Sequence, residues 1–340
     1  MLLISESQGE CSIESGQNFP KLNLSSALNC DYGIHRSGWS YVINSLKPLH
    51  HPSGIFVDGF IERKFCWGDN PGEAQNNPTP YQEPWVGFIH VPPRVPKWFH
   101  YEQAPQSIFK TQLWQESLPY CQGLFCLSEY HKLWLEKRLD VPIISLFHPT
   151  EIPSNKFDFE NFLANSDKKI VQIGWWLRKL NSIYCLPTQK LRKAILMKNE
   201  PHYRYLLEKE REIFNLQVDE DAVELMPFLS NEDYDKLLTE NIIYLDLYDA
   251  SANNVIIECM ARHTPLLVNP IPAVREYLGE DYPLYFSSRE EAREKGENWG
   301  LIREANEYLK QDWIRERLMV DSFNNNLISQ LLQGKYGSER

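Results

Sequence analysis

Glu258 is the residue whose type and setting point most directly to chemistry. It is the one carboxylate in the apolar run Val255-Ile256-Ile257-Glu258-Cys259-Met260-Ala261. A carboxylate among apolar side chains is costly to bury unless it has partners. Directed into a cleft, it would accept hydrogen bonds from the hydroxyls of a polyol. The plainer alternatives are an acid on the solvent face of a helix, or an internal pair with Arg262 one helical turn on. The polar stretch Asp249 to Asn254 leads into this run and includes Ser251 and Asn253. Such side chains suit a helix start, whose free N–H groups also favour anions. A second candidate is the pair Arg178-Lys179, just past Gly174. Two cations beyond a strand end can neutralise a diphosphate, the guanidinium as a fork and the ammonium as a point charge. The same pair also fits the solvated start of a basic helix. A third is His90, which follows the apolar run Trp85 to Ile89 and precedes Pro92-Pro93. Open α/β sheets bind ligands at such strand ends.

These groups need a frame. The run Ile242 to Leu247 suits a strand buried on both faces, Pro265 ends the following helix, and Leu266-Leu267-Val268 begins another strand. Upstream, strands are expected over 168–174 and 223–229, with helices over 203–214 and 233–238. In the first half, strands are expected over 22–33, 54–60, 85–91, 123–128 and 142–147, and a helix over 129–139. Strands alternating with helices imply parallel sheets. The polar, acidic residues 151–167 separate the two series and read as a linker. The glycine-bearing turn Gly33 to Ser40 enters a helix and either brings backbone, at Gly38, close to a ligand or is a plain connection. It lacks the G-x-G-x-x-G spacing of a dinucleotide fingerprint. Residues 94–115 carry Trp98, Phe99, His100, Tyr101 and Trp114 and either close over an acceptor or pack a long loop.

At 340 residues the chain is long enough for two cores. Its net charge of −11 argues against coating a nucleic-acid duplex, which needs a basic surface. Seven cysteines without CxxC or Cys/His ligand spacing indicate neither a disulfide framework nor a zinc site. The opening MLLISESQGE has no signal-peptide pattern, and no run approaches the ~20 apolar residues that span a bilayer. A soluble, cytoplasmic protein with no integral membrane segment is the expectation.

The stretch Glu258, Cys259-Met260-Ala261 and Thr264-Pro265-Leu266-Leu267-Val268, with Pro272 to Glu276 beyond it, resembles the donor-binding strand–loop–helix of GT-B glycosyltransferases, especially the retaining family 4. That family has two Glu eight positions apart; here the first position is Ala250, with Asp249 beside it. The resemblance implies an α/β fold of two Rossmann-like domains facing across a cleft. Residues 1–150 would be the acceptor-binding domain, 168–315 the nucleotide-sugar-binding domain, and 316–340 a final helix that crosses back. It implies sugar transfer from a nucleotide diphosphate-sugar to an acceptor hydroxyl, with retention and without metal or further cofactor. His90, Arg178 and Lys179 would be catalytic. The donor would be held by Gly38, Gly174, Arg178, Lys179, Met226, Phe228, Asp249, Ser251, Asn253, Asn254, Val255 and Glu258, with Glu258 on the ribose and the 223–229 strand at the base. The alternatives are a GT-B scaffold that has lost turnover, kept open by Ala250, and a sugar-nucleotide epimerase of the same shape using His90 or His148.

Overall fold

The computed structural model describes residues 21–30, 38–67, 79–197 and 201–333. The Gly33–Ser37 part of the glycine turn lies outside them. Among the described residues, ten strands form two five-stranded sheets, every pairing parallel. In the first, β1 (Leu22–Asn23), β2 (Ile55–Asp58), β3 (Trp85–Phe88), β4 (Cys121–Cys126) and β5 (Ile143–Ser145) lie in chain order. Alternation sends their side chains to opposite faces. Trp85, Ile89, Leu124 and Cys126 fill one layer with Phe65 and Trp114; Val86, Phe88, Phe125 and Leu127 fill the other with Trp39 and Val42. The helix Val320–Gln333 adds Phe323, Leu327 and Leu331 to that second layer, so the last helix packs on the first sheet.

The second sheet contains β6 (Lys169–Ile173), β7 (Arg192–Leu196), β8 (Val223–Met226), β9 (Ile242–Leu245) and β10 (Leu266–Val268), in the order β10-β9-β6-β7-β8. The order reverses between β6 and β9, which are paired at Ile170–Ile242 and Val171–Ile243. Such a reversal opens a crevice at the carboxyl ends of the two strands. Wholly apolar strands such as Ile242–Leu245, buried on both faces, are what a helix-covered parallel sheet requires.

Four local expectations change. The opening strand stops after Asn23, because the Asn23 Oδ1 accepts from Ser25 N at 3.1 Å and turns the chain into a short helix, Ser25–Leu28. Strand β7, which begins with Arg192 and Lys193, is an interior strand that lies outside the expected ones. Residues 151–167 are a tether only in part, since Phe157, Phe159 and Phe162 are buried in the core of the second sheet. From the stretch after β3, Val91, Val95, Phe99 and Ala104 are buried in that same core. No helix among the described residues is long and apolar enough to cross a membrane.

Candidate functional site

At the reversal point, the turn after β6 and the loop after β9 run side by side. Lys179 N donates to Asp246 O at 2.7 Å, Tyr248 N donates to Leu177 O at 2.9 Å, and Arg178 bridges Leu247 antiparallel. Beside them lies a cavity of about 790 Å³ formed entirely by second-domain residues. Gly174, Arg178 and Val255 line its floor, Glu258 and Tyr234 one wall, and Met226 and Phe228 its rim. That volume is in the range of small-molecule sites.

Arg178 dominates its electrostatics. The side chain is 8% exposed. Its Nε donates to Ile173 O at 3.2 Å, Nη1 to Trp176 O at 2.6 Å and Nη2 to Asn253 Oδ1 at 3.3 Å. All three acceptors are neutral, and among the described residues no carboxylate forms an ion pair with this guanidinium. Burial lowers its pKa to about 10, against the pull of Tyr234 and Glu258. The fit demands glycine at 174, which has φ +76° and where a Cβ would stand 3.3 Å from Arg178 Nη2. Asn253 is the hinge of the arrangement. Its Oδ1 also caps the helix Asn254–Arg262, accepting from Val255 N at 3.1 Å and Ile256 N at 3.4 Å. A buried cation held by neutral groups at a helix start is a place for an anion.

Glu258 is 3% exposed and accepts from the Tyr234 hydroxyl at 2.5 Å through Oε2. Burial, and then that contact, raise the Tyr234 pKa well above the usual phenol value. The pair with Arg262 does not form through the Glu258 carboxylate. Arg262 donates to the Glu258 carbonyl at 3.2 Å and places its charge on Asp235, 2.6 Å away, in an ion pair 2% and 6% exposed. Around the rim, Met226 is half-buried, Phe228 is 75% exposed, and Trp175, Trp176 and Tyr203 continue an aromatic lining.

No family model and no curated protein matches the chain. Solved structures do. The E. coli trehalose-6-phosphate structure bound with UDP-2-fluoro glucose is 12% identical with a TM-score of 0.57, covering 85% of this chain and 75% of that one. Anabaena HepE in complex with UDP-glucose is 12% identical, TM-score 0.54, covering 74% and 72%. S. aureus TarM, in complex with fondaparinux, alpha-GlcNAc-glycerol and UDP, is 14% identical, TM-score 0.56, covering 86% of this chain and 58% of its own. Together with the two parallel sheets, these likenesses decide the architecture. The chain has the GT-B fold.

Within this GT-B fold, the sequence candidates divide. Gly174, Arg178, Met226, Phe228, Asn254, Val255 and Glu258 line the cavity, and Asn253 touches it through Arg178. Lys179 does not. Its Nζ pairs with Asp246 at 2.7 Å, and it faces a separate cavity of about 440 Å³. Arg178 forms the antiparallel bridge to Leu247, Lys179 follows it, and the two side chains reach different cavities. Asp249 and Ser251 turn the other way, to the first domain. Asp249 accepts from Arg94 N at 2.8 Å and the Tyr130 hydroxyl at 3.0 Å, while Ser251 accepts from Leu127 N at 3.3 Å and meets His131 Nδ1 at 3.0 Å. These two fasten the domains together.

His90 lies in the first domain, stacked on Phe60 with centroids 3.9 Å apart and edge-on to Trp39 at 4.5 Å. Its Nε2–H donates to Gly59 O at 3.1 Å, and burial lowers its pKa to about 3. It is a neutral imidazole whose Nδ1 carries the lone pair. Glu62 holds it in place, accepting from His90 N and Val91 N at 2.8 and 2.7 Å. Gly38 is the N-cap of the helix Trp39–Ser45 beside this cluster and lines neither cavity. His148 is buried against Trp39 at 5.5 Å, its backbone N–H donating to the Tyr277 hydroxyl at 2.9 Å. Tyr234, Asp235 and Tyr203 are among the cavity residues that sequence reasoning missed. Their only signal is an inward-facing helical spacing, which a packing residue shares.

Proposed function

We propose that the protein is a glycosyltransferase that moves a sugar from a nucleoside diphosphate donor to an acceptor hydroxyl. The observation that carries this reading is Arg178: a buried guanidinium with neutral partners, at the reversal point of a parallel sheet and beside a helix N-terminus. The likeness to structures bound with UDP-glucose and UDP-2-fluoro glucose favours a uridine diphosphate donor.

In this reading the diphosphate lies on Arg178 and at the N–H of Asn254, which opens the helix Asn254–Arg262, since the Val255 and Ile256 N–H groups already donate to Asn253 Oδ1. Glu258 takes the ribose hydroxyls and the rim of Met226 and Phe228 takes the base. The bond between the anomeric carbon and the diphosphate oxygen breaks, the electron pair leaving with the diphosphate. Arg178 stabilises that growing negative charge, a term large in a dry site. The acceptor oxygen attacks on the face the diphosphate leaves, giving retention, and its proton passes to the departing phosphate oxygen. With Ala250 where family 4 has its first Glu, the sugar is held by other groups. His90 is suited to accept a hydrogen bond from a hydroxyl through Nδ1, not to donate a proton.

The test is turnover. Purified protein incubated with UDP-glucose, UDP-GlcNAc and related donors should release UDP slowly without an acceptor and faster with the right one. An isomerised sugar nucleotide instead of UDP would show an epimerase, and no product with any donor a binding protein.

A further inference from the structure

We infer that residues 91–104 of the first domain form a strap that positions the nucleotide cavity from outside, acting on Arg178 through Trp175 and Trp176. The inference rests on the nucleotide reading of that cavity. The strap leaves β3 and crosses to the other domain, where Val91, Val95, Phe99 and Ala104 are buried in the core of the second sheet. No strap residue lines the cavity. The Phe99 ring, 0% exposed, lies 5.9 Å from Trp175 and 5.3 Å from Trp176. The two tryptophans have the strap on one side and the cavity on the other. Their carbonyls receive Arg178: Trp175 O from its N–H at 3.2 Å, and Trp176 O from its Nη1 at 2.6 Å. A shift of the tryptophan turn therefore moves the acceptor of the Arg178 backbone N–H and one of the three acceptors that hold its guanidinium.

His100 is the polar clasp of the strap. It takes φ 45°, ψ 43°, a left-handed conformation that side chains other than Gly and Asn pay for. Its ring stacks over Trp176 at 5.9 Å and 25°. Nδ1 meets Glu102 Oε1 at 3.0 Å, and Nε2 meets His202 Nε2 at 3.0 Å. Since a carboxylate only accepts, Nδ1 carries the hydrogen and, in the neutral ring, Nε2 accepts from His202. His202 adjoins Tyr203, which packs on Trp175 at 4.8 Å and lines the cavity. A strained residue held by contacts across two domains, next to a ligand-binding turn, is the pattern expected of a functional constraint.

Phe99→Ala and the milder His100→Ala test this, with His100→Asn as the conservative variant, because Asn tolerates the left-handed backbone and keeps an acceptor. Two quantities are measured: UDP affinity by calorimetry, and amide hydrogen exchange of residues 174–179 in the free protein. Phe99→Ala should weaken UDP binding by about tenfold, within the span of couplings carried through packed side chains. His100→Ala should weaken it less, and His100→Asn should recover most of the loss. Exchange at 174–179 should quicken in the same order. Affinity and exchange both unchanged in His100→Ala, while its melting temperature falls, would overturn the strap as a positioning element. Should Phe99→Ala not fold, the His100 pair of variants decides. Were the unaltered protein not to bind UDP, the nucleotide reading would fall, and the exchange rates alone would decide whether the strap fixes the turn.

Discussion

Arg178 and Lys179 show how much one backbone step changes a side chain's role. Lys179 is 40% exposed and spends its charge on Asp246, whereas Arg178 is buried on neutral oxygens. Only Arg178 has charge left for a ligand. Glu258 is the matching acceptor, and Glu258→Gln should lower UDP affinity by ~1.5–3 kcal/mol, the worth of a hydrogen bond to a charged group. Calorimetric titration reads this directly, and equal affinity would remove Glu258 from the site. Ala250→Glu should leave UDP affinity near its starting value and alter the choice of sugar. Arg262 has a different role. Arg262→Met removes a buried ion pair with Asp235 and should cost ~3–5 kcal/mol of stability in urea unfolding. A melting curve like that of the parent would contradict the ion pair. The burial of Glu258 was legible because its neighbours are all apolar. Its partner Tyr234 was not, because a contact between helices 24 residues apart leaves no local trace.

At the scale of elements, the start of the helix Asn254–Arg262 joins fold to site through one amide oxygen. Asn253→Ala should cost ~1–2 kcal/mol of stability, as cap removals do, and weaken UDP binding as well. Asn253→Asp separates the two effects. A carboxylate still caps the helix, so the fold should keep its stability, but it gives Arg178 a permanent counter-ion. UDP affinity should then fall below that of the parent; an Asp variant binding UDP as well as the parent would show that the guanidinium does not meet the diphosphate. The cap and the strand before it were readable from composition alone. Strand β7 was not. Arg192 and Lys193 look like solvated charges, and Arg192 is 64% exposed even as it pairs with Asp167 and Glu224, while the Lys193 Nζ donates to Tyr184 O and Leu186 O. Cross-strand pairing turns a polar sequence into a sheet, and that pairing is invisible in one segment. The loop after β9 was singled out in the sequence, but not that Asp249 and Ser251 turn to the first domain while Asn253 turns to Arg178.

Across the whole molecule, the domains are joined by buried polar contacts that include titratable groups. Burial lowers His90 and His131 to about 3 and His148 to about 4. The unfolded chain takes up protons near pH 6.5 that the folded one refuses, so stability is full above ~6.5 and lost as pH falls. Glu62 acts oppositely: burial raises it to about 7, so it disfavours the fold increasingly as pH climbs toward that value. His263, lowered to about 4, adds to the first trend, and Asp249 and Glu276, raised by burial, add to the second; four histidines outweigh three carboxyls, and the urea midpoint should fall between about pH 7 and about pH 5. His131→Asn should flatten that slope by up to about 1.4 kcal/mol per pH unit. A midpoint that does not move, or an unchanged slope in the variant, would mean that these rings titrate normally. Ligand recognition is the larger claim, and comparing UDP with uridine tests it most directly. Both should be titrated calorimetrically into the parent and into Arg178→Ala. The parent should bind UDP more tightly than uridine by ~1.5–3 kcal/mol, a charge-assisted contribution that Arg178→Ala should erase while leaving uridine affinity nearly unchanged. If Arg178→Ala still prefers UDP over uridine as strongly as the parent, the buried guanidinium is a structural group and the diphosphate lies elsewhere.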